Sequence, residues 1–248
     1  MENPFLSIII PAYNEAERIP KTLLDIDHRL SDVAFDYEII VVNDGSKDNT
    51  AEVVNGMMKM VKKIKLIDNK ENKGKGGVVR QGMLSASGDI RLFMDADNST
   101  SVDQFINMMP FFSDQNDAYD VVIGSRALKE SVLNPSQPLY RQIPGKLGNF
   151  FIQILLLWGI SDTQCGFKAF KKDAAIKIFS ISKINGWGFD VEILALAKKF
   201  GYKIKEIPVH WMNDERSKVK MSSYFKVLIE TLKIRYFLWT GKYDIEIK

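Results

Sequence analysis

The sequence predicts an α/β protein with a mostly parallel, doubly wound sheet flanked by helices. Two observations lead to this prediction. Short runs rich in Val and Ile alternate with amphipathic segments through the first half of the chain, which is the pattern of repeated strand, helix, strand units. No long linker divides the 248 residues, so we expect a single domain.

Five strands are predicted in the first half of the chain, with a helix after each of the first four. The strands are residues 6–11, 38–43, 65–68, 90–94 and 121–124, and the helices are residues 15–30, 50–60, 76–86 and 102–112. The second helix follows DGSKDNT, a segment rich in turn and helix-capping residues. Because ligands of doubly wound sheets bind outside the carboxyl ends of the strands, the loops PAYNE, NDGS and DADNST should converge on one crevice.

The regular alternation ends after Ser125. The next segments are predicted to be a proline-containing loop over residues 134–144, an apolar segment over 146–160, a turn and strand in SDTQCGFKAF, a helix at 190–200 and a strand at 204–209. Residues 223–248 have the pattern of an amphipathic helix and a tail. We therefore expect one domain over residues 1–222, with residues 1–125 and 126–222 as its two halves.

The composition disfavours several classes of protein. The net charge is only +3, so general nucleic-acid binding is not expected. The single cysteine, Cys165, allows no intrachain disulfide and no Cys-rich zinc site, which fits a reducing cytoplasm. We expect no signal peptide in MENPFLSIIIPAYNE and no membrane span, because the longest apolar stretch is well short of the roughly 20 residues that a span requires.

Two carboxylates stand one residue apart where the fourth predicted strand ends, in RLFMDADNST. By the two-residue period of a strand, Asp95 and Asp97 should point the same way. Such a pair is unfavourable unless a cation lies between the carboxylates or one of them takes up a proton. A divalent cation is the simplest candidate. The alternative is that one Asp caps the next helix and the other is solvated, and the pair alone does not decide between the two.

The loops after the first two strands carry side chains suited to a nucleotide. Asn14, Glu15, Asn43 and Asp44 offer hydrogen-bond acceptors for a base and a ribose, and Tyr13 offers a flat face for stacking. Each residue taken singly is better explained by a turn or by the first turn of a helix. Their joint position beside the carboxylate pair favours a nucleotide site.

The glycine-rich turns of other nucleotide-binding proteins are missing. The first turn, PAYNEAE, has no glycine, and NKGKGGVVRQG follows the third strand without the dinucleotide fingerprint spacing. No Walker-type phosphate loop occurs. The sequence therefore disfavours a Rossmann dehydrogenase and a nucleotidyltransferase.

Seven segments, taken in order, resemble the inverting GT-A glycosyltransferases that use nucleotide sugars. Among these, the chain resembles the dolichyl-phosphate β-glucosyltransferases and the related polyprenyl-phosphate sugar transferases. The segments are SIIIPAYNEAERI, EIIVVNDGSKDNT, NKGKGGVVRQGMLSASGD, LFMDADNST, VIGSRAL, DTQCGFKAF and WGFDVEIL, and the resemblance covers residues 7–220. It implies a GT-A fold and transfer of a hexose, glucose from UDP-glucose, onto a polyprenyl or dolichyl phosphate.

The resemblance also implies a donor site in the first half of the chain. Its residues are Pro11, Tyr13, Glu15, Asp44, Lys75, Arg80, Asp95 and Asp97. The first four hold the nucleoside, Lys75 and Arg80 lie near the same pocket, and the last two face Mg²⁺ or Mn²⁺ bound to the diphosphate. Mg²⁺ prefers carboxylate and phosphate oxygens, which agrees with this role. Asn98 departs from the resemblance, because the glucosyltransferases usually have glycine at this place.

For the acceptor, which the second half of the chain would hold, the resemblance points to Arg126, Arg141 and Asp162. A polyprenyl monophosphate has a second pKa of roughly 6 and is largely ionised at neutral pH, so positive charge matters more than a general base. Arginine grips phosphate oxygens in pairs. Arg126 could instead form a structural ion pair, and Asp162 matches either a base or an acceptor-orienting carboxylate. Asp190 and Glu192 would act on sugar hydroxyls or shape a helix start.

Two other functions stay open at this stage. The acceptor could be a saccharide hydroxyl, for which Asp162 or Asp190 would have to be a true base. The chain could also bind a nucleotide sugar without turnover. His210 is expected to be structural, and Arg216 and Lys218 lie either in a lid over the diphosphate or in an ordinary solvated loop.

A lipid acceptor requires contact with a membrane, and two segments have the pattern for it. One is residues 146–160. The other follows residue 221, where Phe225, Leu228, Leu232 and Trp239 recur at helical spacing. The alternative is that both segments pack onto the core or onto a second subunit. We expect a cytoplasmic protein, peripheral on the inner face of the membrane.

Overall fold

The computed structural model describes residues 4–113, 118–135, 139–212 and 221–244. Within these ranges the strands are β1 (Leu6–Ala12), β2 (Tyr37–Asp44), β3 (Ile64–Asn69), β4 (Ile90–Met94), β5 (Val121–Ser125), β6 (Val132–Asn134), β7 (Phe167–Lys171), β8 (Ile204–Pro208) and β9 (His210–Met212). The helices are α1 (Ile19–Arg29), α2 (Thr50–Met57), α3 (Lys75–Ser85), α4 (Met109–Ser113), α5 (Leu139–Ile152), α6 (Lys172–Ile181), α7 (Phe189–Lys199) and α8 (Met221–Trp239). A 3₁₀ helix spans Val102–Asn107, and a π-helical turn, Gln153–Leu157, continues α5.

Seven strands form one sheet in the order β3-β2-β1-β4-β7-β5-β8. Neighbouring strands are parallel except at β7, which runs antiparallel to both β4 and β5. The predicted mostly parallel sheet is therefore confirmed. Helices cover both faces, so β1 is apolar on both sides: Ile8 and Ile10 join one buried cluster and Ile9 joins the other.

The antiparallel strand β7 brings an additional loop to the edge where the predicted site lies. Met94, the last residue of β4, is paired with Phe167, the first residue of β7, and Ile123 of β5 is paired with Lys168. The residues that precede β7 therefore meet the carboxyl ends of β4 and β5. This topology places Asp162 beside residues that lie far from it in the sequence.

The predicted strands of the first half are all present, whereas three helices differ from the prediction. α2 ends at Met57, three residues before its predicted end. α1 begins at Ile19, not at residue 15, because the backbone carbonyl of Glu15 accepts turn hydrogen bonds from Arg18 and Ile19. The predicted helix over residues 102–112 is divided into the 3₁₀ helix and α4. Pro110 lies in the first turn of α4, where its missing N–H leaves no helical hydrogen bond unmade.

In the second half, one predicted loop is wrong, one helix was not predicted, and one predicted strand is confirmed but ends a residue early. The predicted loop over residues 134–144 is cut short by α5, which begins at Leu139. α6 follows β7 directly at Lys172, without the turn residues that would have indicated a new element. The predicted strand over residues 204–209 ends at Pro208, and β9 begins two residues later because the Val209 carbonyl accepts a hydrogen bond from Val132 N–H.

One face of α8 packs on the domain, and the other face exposes apolar side chains to solvent. Val227, Thr231 and Ile234 are buried, whereas Phe225 and Trp239 of the predicted apolar face are exposed. α8 contacts α5 and α7. In the described parts of the chain, no helix has both the length and the apolar character needed to cross a bilayer.

Candidate active site

The carboxylate pair lies at the carboxyl end of β4, as predicted, and a lysine joins it. Lys75 Nζ, from the first turn of α3, lies 2.7 Å from Asp95 Oδ1. A Cβ added at Gly166 would stand 2.0 Å from Asp95 Oδ2, so glycine there leaves room for this carboxylate. Burial and the neighbouring Asp95 charge together raise the pKa of Asp97. The Ser99 N–H donates to Asp97 Oδ1 at 3.0 Å and holds it in place.

Lys75 is the positive centre of this edge. Its Nζ lies 5.2 Å from the centre of the Trp187 ring. Burial would lower the pKa of Lys75, but the carboxylates of Asp95 and Asp190 outweigh burial and raise it. Lys75 is therefore a cation held among carboxylates.

The loops after β1 and β2 are tied to each other, which positions the predicted nucleoside side chains. The Asn14 N–H donates to Ser46 Oγ at 2.9 Å, and the Lys47 N–H donates to Asn14 Oδ1 at 2.8 Å. Asn14 has φ 55°, a left-handed conformation that Asn tolerates. Pro11 and Tyr13 lie half-buried at the end of β1 and just beyond it.

Asp44, at the end of β2, faces the loop that leads into α3. Its Oδ1 accepts a hydrogen bond of 2.6 Å from the Lys73 N–H. Burial raises the pKa of Asp44, and the backbone N–H groups of Lys73 and Gly74 offset part of that rise. Asp44 therefore lies beside the segment that carries Lys75.

Glu15 forms an ion pair that the sequence analysis missed. Arg18 Nε and Nη2 each donate to one Glu15 carboxylate oxygen at 2.6 Å. Arg18 Nη1 also lies 4.0 Å from Asp97 Oδ2. The spacing of three residues between Glu15 and Arg18 was the available signal. Arg18 thus links the predicted nucleoside loop to the carboxylate pair.

Arg80, predicted to lie near the donor, holds the loop before α7. Its Nη1 donates to the Ser182 carbonyl at 2.9 Å, and its Nη2 donates to Asn185 Oδ1 at 2.8 Å. Asn185 also accepts the Gly76 N–H through its backbone carbonyl. The described contacts of Arg80 therefore fasten α3 to the loop before α7.

The backbone conformation of Asn98 explains why asparagine can stand where the resemblance implies a glycine. Its φ is 56°, a left-handed conformation in which glycine is unstrained and asparagine is the next most tolerated residue. Asn98 Nδ2 donates to Asp25 Oδ2 at 2.8 Å. The turn after Asp97 is thus kept, with an added tie to α1.

Arg126 and Asp162 form a two-pronged ion pair at the end of β5. Arg126 Nε lies 2.7 Å and Nη2 lies 3.0 Å from separate Asp162 oxygens, and the Arg126 backbone N–H donates to Asp162 as well. Burial alone would raise the pKa of Asp162, but Arg126 lowers it to about 2. A carboxylate with this pKa is a weak base, so the geometry suits Asp162 to orienting Arg126. Arg141 lies in α5, and its side chain is outside the described structure.

A buried lysine, also missed by the sequence analysis, holds Asp190. Lys168 Nζ donates to Asp190 Oδ1 and, at 2.6 Å, to the Cys165 carbonyl. Burial raises the pKa of Asp190, and Lys168 offsets that rise only in part. The signal was a charged residue inside the apolar strand GFKAF. Asp190 lies in the first turn of α7.

Glu192 has a structural role, because it holds the loop before α7. It accepts hydrogen bonds from the backbone N–H groups of Lys183 and Ile184 and from the Tyr243 hydroxyl. His210 begins β9, and its backbone is bonded to the Gln104 side chain. Arg216 and Lys218 lie outside the described residues.

Three ion pairs lie close enough to influence one another's pKa values: Lys75–Asp95, Arg126–Asp162 and Lys168–Asp190. Burial would lower the pKa of Arg126, but Asp162 and, as a smaller contribution, Asp95 raise it. Asp95 also adds to the rise at Asp190. One edge of the sheet therefore gathers the carboxylate pair, Lys75 and the Arg126–Asp162 pair, which is a setting for phosphate groups and a cation. Among the described residues, no three His, Cys, Asp or Glu side chains form a metal-binding group.

The fold is that of the GT-A glycosyltransferases. Mannosyl-3-phosphoglycerate synthase from Rubrobacter xylanophilus is similar with a TM-score of 0.71 and 16% identity, over 96% of this chain and 76% of that one. Glucosyl-3-phosphoglycerate synthase from Mycobacterium tuberculosis, in complex with Mn²⁺ and UDP-glucose, is similar with a TM-score of 0.68 and 18% identity, over 94% of this chain and 79% of that one.

Sequence similarity is more specific than the fold. Residues 7–179 match glycosyl transferase family 2. Dolichyl-phosphate beta-glucosyltransferases from Trichomonas vaginalis and Dictyostelium discoideum are each 37% identical, over 95% and 99% of this chain and 76% and 78% of those proteins. The Homo sapiens protein of the same name is 35% identical over 97% of this chain and 78% of its own length. The chain belongs to glycosyl transferase family 2 and is an enzyme of the glycosyltransferase class.

Proposed function

We propose that this glycosyltransferase moves glucose from UDP-glucose onto a dolichyl or other polyprenyl phosphate, with inversion at the anomeric carbon and with Mg²⁺ or Mn²⁺ as its metal. The relatives named for this reaction support the acceptor and the sugar. A structural neighbour in complex with UDP-glucose and Mn²⁺ supports the donor and the metal. The observation that carries the proposal is the Arg126–Asp162 ion pair close to the Asp95 carboxylate.

The donor would lie across the carboxyl ends of β1, β2 and β4. Asp95 and Asp97 supply the hard oxygen ligands that suit Mg²⁺ or Mn²⁺, and the diphosphate of the donor would supply others. Burial and the Asp95 charge raise the pKa of Asp97, and a bound metal would stabilise its ionised form. When bound, the metal would stabilise charge on the departing nucleoside diphosphate. Glu15, Asp44 and the Tyr13 ring would hold the nucleoside.

The Arg126–Asp162 pair favours a phosphate acceptor. Nucleophilic attack by a hydroxyl needs a base, and Asp162, with a pKa of about 2, is poorly suited to remove a proton. A phosphate monoester needs no base, but it needs a positive side chain held in a fixed orientation to bind it. Asp162 uses both carboxylate oxygens to fix Arg126, whose side chain is 28% exposed and reachable by a ligand. Arg141 would add a second positive charge.

Transfer to a saccharide hydroxyl is the second candidate, and one observation favours it. Burial raises the pKa of Asp190, which makes it a stronger base than an exposed aspartate. Its Oδ1 is occupied by Lys168, which weakens this role. The two candidates differ in the product, so an acceptor panel separates them.

The experiment is transfer of radiolabelled sugar from a panel of UDP- and GDP-sugars, with Mg²⁺ or Mn²⁺, into either a polyprenyl phosphate or a set of oligosaccharides. We expect label from UDP-glucose in an acid-labile lipid, and loss of that label in Asp97→Asn. The matched control is Asp36→Asn, which removes an exposed carboxylate that forms an ion pair with Lys63. Label in the oligosaccharides and none in lipid would contradict the proposal. A lipid acceptor also implies that the enzyme acts at a membrane, and we propose that the enzyme lies peripherally on the cytoplasmic face of that membrane.

A further inference from the structure

The outer faces of α5 and α8 carry an unusual share of the exposed apolar side chains. Nine of the 17 large hydrophobic residues that are exposed in the described structure lie on these two helices and their ends. On α5 and the π-helical turn after it, Leu147, Phe150, Ile154 and Trp158 recur at intervals of three or four residues. They therefore form one stripe along the helix.

α8 carries a second stripe with the same spacing. Its members are Phe225, Ile229, Leu232, Tyr236 and Trp239. The opposite side of α8 already packs on the core, so this stripe is additional to what the fold needs. A Cβ added at Gly145 of α5 would lie 4.0 Å from the Tyr224 ring, so the two helices are neighbours. We name the two stripes together the docking surface.

The charges around the docking surface are positive. Lys146 on α5 and Lys226, Lys233 and Arg235 on α8 are all exposed. The acidic residue of α8, Glu230, is engaged with the Gly188 N–H on the inner side of the helix. Lysine is depleted from interfaces between proteins, whereas basic residues beside Trp, Phe and Leu are typical of helices that lie in an anionic lipid interface.

We propose that the docking surface binds the interface of an anionic lipid bilayer, with the Trp and Phe rings among the headgroups and the lysines against lipid phosphates. The proposal rests on the proposed function, because a lipid acceptor has to be taken from a bilayer. A second copy of the chain is the competing occupant, and the basic rim disfavours it through like-charge repulsion.

Both helices of the docking surface are fastened to the candidate site by a polar side chain on their inner side. Asn149 of α5 donates to the Ser161 carbonyl at 2.6 Å and accepts the Thr163 hydroxyl at 2.9 Å, on either side of Asp162. Glu230 of α8 accepts the Gly188 N–H at 2.6 Å, immediately before the helix that carries Asp190. A Cβ at Gly186 or Gly188 would collide with Glu230. Binding at the docking surface would thus place the Arg126–Asp162 pair at a fixed position from the lipid headgroups.

The test compares vesicle binding with transfer to a water-soluble acceptor. The full chain is sedimented with vesicles of phosphatidylcholine alone or mixed with phosphatidylglycerol. The variant is Trp158→Glu with Trp239→Glu, since these side chains are 73% and 83% exposed and can change without disturbing the core. The control is Met60→Glu, which places the same charge at a residue 69% exposed outside the docking surface. Transfer to a short, water-soluble prenyl phosphate is measured in the same preparations.

We expect binding to anionic vesicles to fall at least tenfold in the double Trp variant and to stay within twofold in the control. Binding should also weaken when Lys226, Lys233 and Arg235 are replaced by Gln, whereas transfer to the soluble acceptor should stay within twofold in all variants. Equal vesicle binding by the wild type and the double Trp variant would overturn the proposal. A dimer in solution that the same variant dissociates would also overturn it, in favour of a second copy. Vesicle binding that depends on Trp158 and Trp239, without transfer to any prenyl phosphate, would support the docking surface and refute the proposed function.

Discussion

Asp162→Asn should weaken the use of the acceptor without changing the use of the donor. The substitution keeps the size of the side chain and removes the charge that fixes Arg126. In the folded protein Arg126 lowers the pKa of Asp162 from 3.8 to about 2, a difference of roughly two pKa units, which corresponds to about 2 kcal/mol of interaction. Both side chains are more than two-thirds buried, so solvent screening takes little from this value.

Loss of about 2 kcal/mol corresponds to a decrease of roughly 30-fold in kcat/KM for the polyprenyl phosphate. The assay is initial-rate kinetics with each substrate varied in turn, and the KM for the sugar nucleotide should stay within twofold. Arg126→Lys keeps the charge and loses the two-pronged geometry, so it should reduce kcat/KM for the acceptor by a similar factor. The double variant should be little worse than either single variant, because both remove one interaction.

The pH dependence separates an orienting carboxylate from a general base. Asp162 remains ionised throughout the neutral range, so wild type and Asp162→Asn should have pH–rate profiles of the same shape between about pH 5 and pH 9. A loss of more than about a thousandfold in kcat, together with disappearance of an acid limb in the variant, would show that Asp162 is the base and would refute this reasoning.

Three further predictions concern residues that hold the site or the sheet. Lys168→Met should lower the free energy of unfolding by ~3–5 kcal/mol in urea titrations, because it leaves Asp190 buried without its partner. A loss below ~1 kcal/mol would contradict this. The double variant Lys168→Met, Asp190→Leu should recover at least half of the lost free energy of unfolding. Burial opposes ionisation of Glu38, but Lys65 and hydroxyl donors lower its pKa from 4.5 to about 2. The ionised Glu38 therefore contributes ~3 kcal/mol to the free energy of unfolding above about pH 4.5, and this contribution is lost as the pH falls toward 2. Glu38→Gln should flatten the stability curve over that interval, and an unchanged slope would be contrary evidence. Asn98→Val should cost ~1–3 kcal/mol in thermal unfolding because its φ is 56°, whereas Asn98→Gly should keep most of the activity; equal stability of the two variants would argue against backbone strain.

The sequence was sufficient for the parts of the fold that depend on local patterns. The apolar runs of β1, β2 and β4 and the polar residues after them placed Asp44, Asp95 and Asp97 at one edge, because strand direction and side-chain period are local properties. α6 and the division of the last strand were missed, since α6 follows the inserted strand β7 and β9 pairs with β6 in a separate two-stranded sheet, and only tertiary structure specifies such pairings.

The partners of the site residues were the harder part of the prediction. Asp162 and Arg126 were each selected through the resemblance, yet their pairing over 36 positions of sequence became visible only in the structure. The pairing of Lys75 with Asp95 also became visible only in the structure, and so did the pairing of Asp190 with Lys168, a residue that the sequence analysis had not selected. Each pair joins different helices, strands or loops of the fold, and no periodicity in a single segment contains that information.

The most direct test of the account is a competition between two acceptors that differ by one phosphate. The enzyme is incubated with radiolabelled UDP-glucose, Mn²⁺ and equal amounts of a polyprenyl phosphate and the corresponding polyprenol, and the labelled lipids are separated. We expect label in the phosphate-linked product alone, because Arg126, fixed by Asp162, binds the phosphate, and Asp162, with a pKa of about 2, is too weak a base to activate a hydroxyl. Label on the polyprenol at a comparable rate would contradict it, since a hydroxyl would then be activated without the phosphate.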